Sequence, residues 1–134
     1  MKLDHIGIAV KSIAESRGFY ETGLGLKAEP EIEEVAGEKV RVLKLTVPPG
    51  SHIELLEPMS EESTIAKYIA KRGEGLHHLC YAVEDVVEAT KRMKESGYTP
   101  IWDEPHNGAG GCLVNFFHPR ETHGVLTELS QPPN

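Results

Sequence analysis

Only two cysteines, Cys80 and Cys112, occur in the 134 residues, and they do not form a CxxC pair. A disulfide scaffold needs more than that. No apolar run approaches the roughly 20 residues that span a bilayer, so no membrane partner is expected. Basic residues are in deficit, with 14 Lys and Arg against 21 Asp and Glu and a formal net charge of −7. A nucleic-acid-binding surface needs the opposite balance. The opening MKLDHIGIAV places Asp4 and His5 where a secretory signal requires uninterrupted apolar residues. These absences point to a cytoplasmic protein with neither nucleic acid nor membrane as a partner. Hydrophobic residues at 39% and charged residues at 26% fit a folded chain. The length fits one domain over residues 1–134.

The chain repeats itself. Leu3-Asp4-His5-Ile6-Gly7-Ile8-Ala9-Val10 lies over Leu76-His77-His78-Leu79-Cys80-Tyr81-Ala82-Val83 at a constant offset of 73, with Leu, His, Ala and Val recurring identically. Ile53-Glu54-Leu55 lies over Thr127-Glu128-Leu129 at an offset of 74. His5 and Glu54 are 49 positions apart, and His78 and Glu128 are 50 apart. Each copy therefore carries one imidazole and one carboxylate at nearly the same separation. Module 1 covers about residues 1–60, a connecting helix about 61–72, and module 2 about 73–131.

Within each copy the patterning predicts βαβββ. Residues 3–10 alternate with period two, Ile6, Ile8 and Val10 on one face and His5, Gly7 and Ala9 on the other. Residues 76–83 repeat this, with Leu79, Tyr81 and Val83 opposite His78, Cys80 and Ala82. The bulky faces are expected to pack on helices, and the small histidine faces to leave room for a cavity. Ser12 with Glu15, and Asp85 with Glu88, read as helix N-caps, with Gly23 and Gly25, and then Gly97, as stops. A further helix, Glu61–Arg72, is expected to start at Ser60. The remaining strands are predicted at Lys27–Ile32, Lys39–Val47, His52–Glu57, Thr99–Asp103, Cys112–Phe117 and Gly124–Leu129. The fold class that follows is α+β: two paired βαβββ modules forming a curved mixed sheet around a metal cavity.

Pairing of the copies about a pseudo-twofold axis would bring His5, Glu54, His78 and Glu128 together from four strands. Two imidazoles and two carboxylates form a mixed N/O donor set suited to a divalent ion such as Co, Mn, Ni, Zn or Fe. Positions left over for substrate make such a centre a Lewis acid.

The duplicated βαβββ pattern with His…Glu…His…Glu resembles the vicinal oxygen chelate superfamily, which includes glyoxalase I, extradiol dioxygenases and methylmalonyl-CoA epimerases. Within it, DHIGIAV, IELLEP followed by SEESTIAKYI, GEGLHHL, NGAGG and FFHPRETHGVLTEL are similar to the epimerase branch, over Leu3 to Gln131. That resemblance implies metal ligands at His5, Glu54, His78 and Glu128, with Glu128 also an acid–base group. It implies one divalent ion, Co2+ foremost, with Mn2+, Ni2+, Zn2+ or Mg2+ as alternatives. The implied reaction is inversion of the methyl-bearing carbon of methylmalonyl-CoA, and the implied assembly is a homodimer. Relatives sometimes carry Gln where Glu54 stands, so Glu54 adds negative charge. Some also carry a second catalytic glutamate where this sequence has Val42. Glu38 and Lys44 share the face of Val42 if that strand is regular.

Gly110 and Gly111, in Gly108-Ala109-Gly110-Gly111, are candidates for wrapping substrate oxygens with backbone N–H groups, with a flexible hairpin loop as the alternative. His118, beside Pro119, either lines the substrate pocket or serves its turn. Arg120, Lys71 and Arg72 are candidates for the CoA phosphates. Two other functions fit the superfamily, a glyoxalase I-like lactoylglutathione lyase and a metal-free small-molecule binder.

Overall fold

Alternation in the first strand, β1 (Lys2–Ala9), sends its side chains into two different environments. His5, Gly7 and Ala9 are buried, whereas Ile6 and Ile8 are half-buried. The computed structural model describes residues 1–134, with nine β-strands and three α-helices in an α+β architecture. The chain divides into two compact units, one of His5–His77 and the other of Met1–Asp4 with His78–Asn134.

In the first unit, β1 is followed by α1 (Ile13–Gly18), β2 (Lys27–Ala28), β3 (Glu33–Val35), β4 (Val40–Val47), β5 (Ser51–Pro58) and α2 (Thr64–Arg72). The strands run in the order β2-β4-β5-β1, with β3 also on β4. β1 lies parallel to β5, and β4 lies antiparallel to it. In the second unit, β6 (Gly75–Ala82) leads to α3 (Val86–Glu95), β7 (His106–Asn107), β8 (Leu113–Phe117) and β9 (Thr127–Gln131). There β6 is parallel to β9, and β8 is antiparallel to both β9 and β7. Each unit thus joins its first strand in parallel to its last, as a duplicated sequence requires.

The helices start where short polar side chains satisfy their unpaired N–H groups. Ser12 Oγ accepts from Glu15 N–H at 3.2 Å, and Asp85 Oδ1 accepts from Glu88 N–H at 3.0 Å, as expected. The first helix does not run evenly to its glycine stop. Leu24 N–H reaches back to Phe19 O at 3.0 Å, a wider π-type turn over Phe19–Gly23. The connecting helix starts later than expected, at Thr64, because Ser63 and not Ser60 supplies the cap, its Oγ accepting from Ile65 N–H at 3.1 Å.

Two predicted strands are corrected. Lys27–Ile32 shrinks to Lys27–Ala28, with a separate β3, because Pro30 has no N–H to continue the ladder after the Glu29 N–H to Lys44 O bond of 2.8 Å. Thr99–Asp103 is no strand but a single bridge between Pro100 and Phe117. Its place is taken by the fully buried Asn115, whose Oδ1 accepts from Trp102 N–H at 3.3 Å while its Nδ2 donates to Trp102 O at 3.1 Å. The other strands shift by a residue or a few at their ends. Lys39, for example, is left-handed (φ 54°) and closes the turn before β4.

The core of the first unit has two parts. Val10, Ile13, Leu43, Leu45 and Leu55 pack with Ile8 and Ile53, so α1 covers the bulky face as predicted. On the opposite face Ala9, Val40, Val42, Leu56 and Ile65 pack with Tyr68 and Ile69. Helix α2 therefore closes the far end of the face that begins with His5. In the second unit Val86, Ala89, Phe117 and Leu129 gather Tyr81, Val83 and Met93 under α3.

Glu57 ties these parts of the first unit together. Its Oε1 accepts from the first N–H of α1, that of Ile13, at 2.8 Å, and its Oε2 accepts from Arg41 Nη1 at 3.0 Å. The charge-assisted bond from the Ile13 N–H to this largely buried carboxylate is worth about 1.5–3 kcal/mol at most. Glu57→Ala is expected to lower the unfolding free energy by about 2 kcal/mol in urea titration. Glu57→Gln, which keeps an acceptor for Ile13, should lose clearly less.

Candidate metal centre

Strand alternation decides which side chains share a face with the candidate ligands. In the first unit His5 is on β1 and Glu54 on β5, with side chains 6% and 8% exposed, and His5 Nδ1 lies 3.4 Å from Glu54 Oε2. The parallel register sets Gly7 beside Glu54 and His52 beside His5. Gly7 has no side chain to crowd the carboxylate. His52 Nε2 stands 2.9 Å from the same Oε2, and its ring lies 4.8 Å from that of His5 at a 31° tilt. Across the antiparallel pair Lys44 is in register with Glu54 and Val42 with Leu56.

In the second unit His78 on β6 and Glu128 on β9 are equally buried, and His78 Nε2 lies 3.0 Å from Glu128 Oε1. Cys80, fully buried, is the register partner of Glu128 on β6, and Phe116 is its partner on β8. Phe116 stands edge-on to His78 with ring centroids 6.0 Å apart. Trp102 in turn stands edge-on to Phe116 at 5.6 Å and stacks on His106 at 4.1 Å, 8° from parallel. The wall next to His78 is therefore aromatic.

A carboxylate buried to this degree is costly without a partner. Each of these two has an imidazole against it. The spacing also suits a shared ion: two donors about 2.1 Å from one cation and at right angles to each other lie about 3 Å apart. Nitrogen–oxygen pairs of 3.4 Å and 3.0 Å are close to that separation. Each residue offers one ligand atom of a type that divalent metals accept. On donor chemistry and spacing, the residues present fit a metal ion.

The other predicted residues are placed as follows. Gly110 and Gly111 sit in the single turn Ala109–Gly111 with φ of 67° and 73°, a backbone that only glycine adopts without strain. His118 is exposed just past β8, where its Nδ1 accepts from Arg120 N–H at 3.1 Å, which ties its ring to the Pro119 turn. Val42 is buried, and its partner on β3 is Glu33. Lys44 shares the face of Val42, as alternation predicted, and is in register with Glu54. Glu38 does not share that face, because it falls in the exposed turn Ala36–Glu38, outside the strand. Sequence reasoning passed over His52, for which the period-two spacing of His52 and Glu54 on one strand was a usable signal.

The chain belongs to the glyoxalase/bleomycin resistance protein/dioxygenase superfamily, whose family model matches residues 4–116. More particularly, it is 39% identical to the ethylmalonyl-CoA/methylmalonyl-CoA epimerase of Cereibacter sphaeroides, over 97% of each chain. The methylmalonyl-CoA epimerase of Mycobacterium tuberculosis superposes with a TM-score of 0.94 at 32% identity, over 99% of this chain and 89% of that one. A variant of the Streptomyces coelicolor methylmalonyl-CoA epimerase, solved in complex with 2-nitronate-propionyl-CoA, gives 0.92 at 34% identity, over 100% of this chain and 99% of that one. The family expected from the motifs is the family found.

Burial separates the two thiols. Cys80 lies in the sheet beside Glu128, and Cys112 is partly exposed at the glycine turn. Under native conditions a thiol reagent such as dithionitrobenzoate is expected to titrate Cys112 alone, and both cysteines once guanidinium has unfolded the protein.

Proposed function

We propose that this protein is a metal-dependent epimerase that interconverts the R and S forms of methylmalonyl-CoA. The observation that carries this reading is the buried imidazole–carboxylate pair recurring at equivalent strands of both units. It recurs in a chain 39% identical to an epimerase of this substrate class over nearly its full length. His5, Glu54, His78 and Glu128 are the proposed ligands of one divalent ion, Co2+ foremost. The protein is further read as a cytoplasmic homodimer.

The reacting carbon lies between a thioester and a carboxylate, so its proton is already acidic. When bound, the divalent ion supplies positive charge that stabilises the oxygens on which negative charge builds up as that proton departs. Glu128 is the proposed group that takes the proton at a carboxylate oxygen and gives it back. Inversion also needs a second acid–base group. Val42 offers none, and the exposed turn of Glu38 removes that candidate from the Glu54 face. Lys44, in register with Glu54, is a remaining candidate expected from the sequence. Phe116 stands edge-on to His78 and to Trp102, so the neighbourhood of His78 is apolar. Gly110 and Gly111 are proposed to present backbone N–H groups to substrate oxygens, and His118 to border the acyl chain.

The test is deuterium wash-in. With methylmalonyl-CoA in deuterated buffer, the metal-loaded protein should exchange the hydrogen on the methyl-bearing carbon, and chelation of the metal should stop the exchange until Co2+ is restored. Glu128→Ala is expected to slow exchange by about 10²–10⁴-fold. Absence of exchange by the metal-loaded protein would refute the epimerase. Turnover of a glutathione hemithioacetal instead would identify the lyase, and purification without stoichiometric metal would favour a binder.

A further inference from the structure

We propose that His52 is a positioning residue that locks the Glu54 carboxylate in its ligand orientation and makes Glu54 the fixed ligand of the centre. This rests on the reading of Glu54 as a metal ligand.

Three observations carry it. His52 and Glu54 are two residues apart on β5, so both side chains leave the strand on one face. His52 Nε2 is 2.9 Å from Glu54 Oε2, and with the proton on that nitrogen the imidazole donates to the carboxylate oxygen. The His52 ring also lies across the parallel pair from His5, in register with it and 4.8 Å away, so its own orientation is set by the neighbouring ring. Glu54 is thereby oriented by an imidazole from its own strand and flanked by a second one from β1.

A glutamate has three rotatable side-chain bonds, and a ligand free to rotate must lose that freedom each time metal binds. A donor fixed on one oxygen removes the loss beforehand. Partners behind a ligand typically change metal affinity 10- to 100-fold. At the offset of 74 that aligns Glu54 with Glu128, His52 aligns with Leu126, so the second copy of the repeat does not carry this histidine.

The experiment measures Co2+ affinity by competition with a chromophoric chelator, together with the visible absorption of the bound cobalt. Wild type is compared with His52→Leu and His52→Gln. The leucine variant is expected to bind Co2+ about 10- to 100-fold more weakly, with an altered cobalt spectrum. The glutamine variant, which keeps an N–H donor, should recover most of the affinity and the wild-type spectrum. In a Glu54→Gln background, the leucine substitution should add little further loss, because the carboxylate that His52 orients is gone. Wild-type affinity and spectrum in His52→Leu would overturn the positioning role while leaving the metal reading intact. Equal weakening in the leucine and glutamine variants would also overturn it, marking His52 as packing only. A wild-type protein that binds no Co2+ would overturn both. Should the leucine variant fail to fold, the glutamine variant decides: retention of affinity and spectrum supports the role, and their loss refutes it.

Discussion

The structure depends on one interaction made twice, an imidazole and a carboxylate buried against each other on neighbouring parallel strands. Parallel pairing of β1 with β5 and of β6 with β9 brings residues some fifty positions apart in the chain to within a hydrogen bond's reach. Everything else in each unit serves to hold those strands. Helices α1 and α3 cover the outer faces, and the antiparallel partners β4 and β8 fix the registers of β5 and β9. Charged groups in such surroundings are tolerated because they are paired, and a divalent ion accepts the same donors.

The two units reach similar geometry by different local means. In the first, the carboxylate is bordered by polar residues, His52 and Lys44, and by an unobstructed glycine. In the second it is bordered by Cys80 and Phe116, which leads on to the aromatic wall of Trp102 and His106. The His and Glu recur in both copies, but their surroundings are polar in the first unit and apolar in the second.

Most of the fold was legible because its signals are local. Alternation in residues 3–10 and 76–83, the caps at Ser12 and Asp85, and the repeat of His and Glu each depend on residues close in sequence or on simple self-comparison. What escaped turned on single residues that break a pattern and on one partner far along the chain. Pro30 broke a strand whose composition otherwise looked continuous. The small-residue face was expected to leave room for a cavity, and nothing in residues 61–72 announces that Ile65 packs with Ala9 at its far end. Glu38 was assigned to a strand face because the left-handed Lys39 that ends the turn carries no glycine signal. His52 was overlooked because attention went to residues that repeat, and His52 does not.

Asn115 has an effect beyond its own contacts. With the Ile101 N–H to Phe116 O bond of 2.8 Å and the Pro100–Phe117 bridge, it holds the segment around Trp102 to β8 where a full strand would have needed a whole row of bonds in step. Only Asp103, Glu104 and Pro105 lie between Trp102 and β7, and they belong to no strand. A change of length there need not slide β8 against β9.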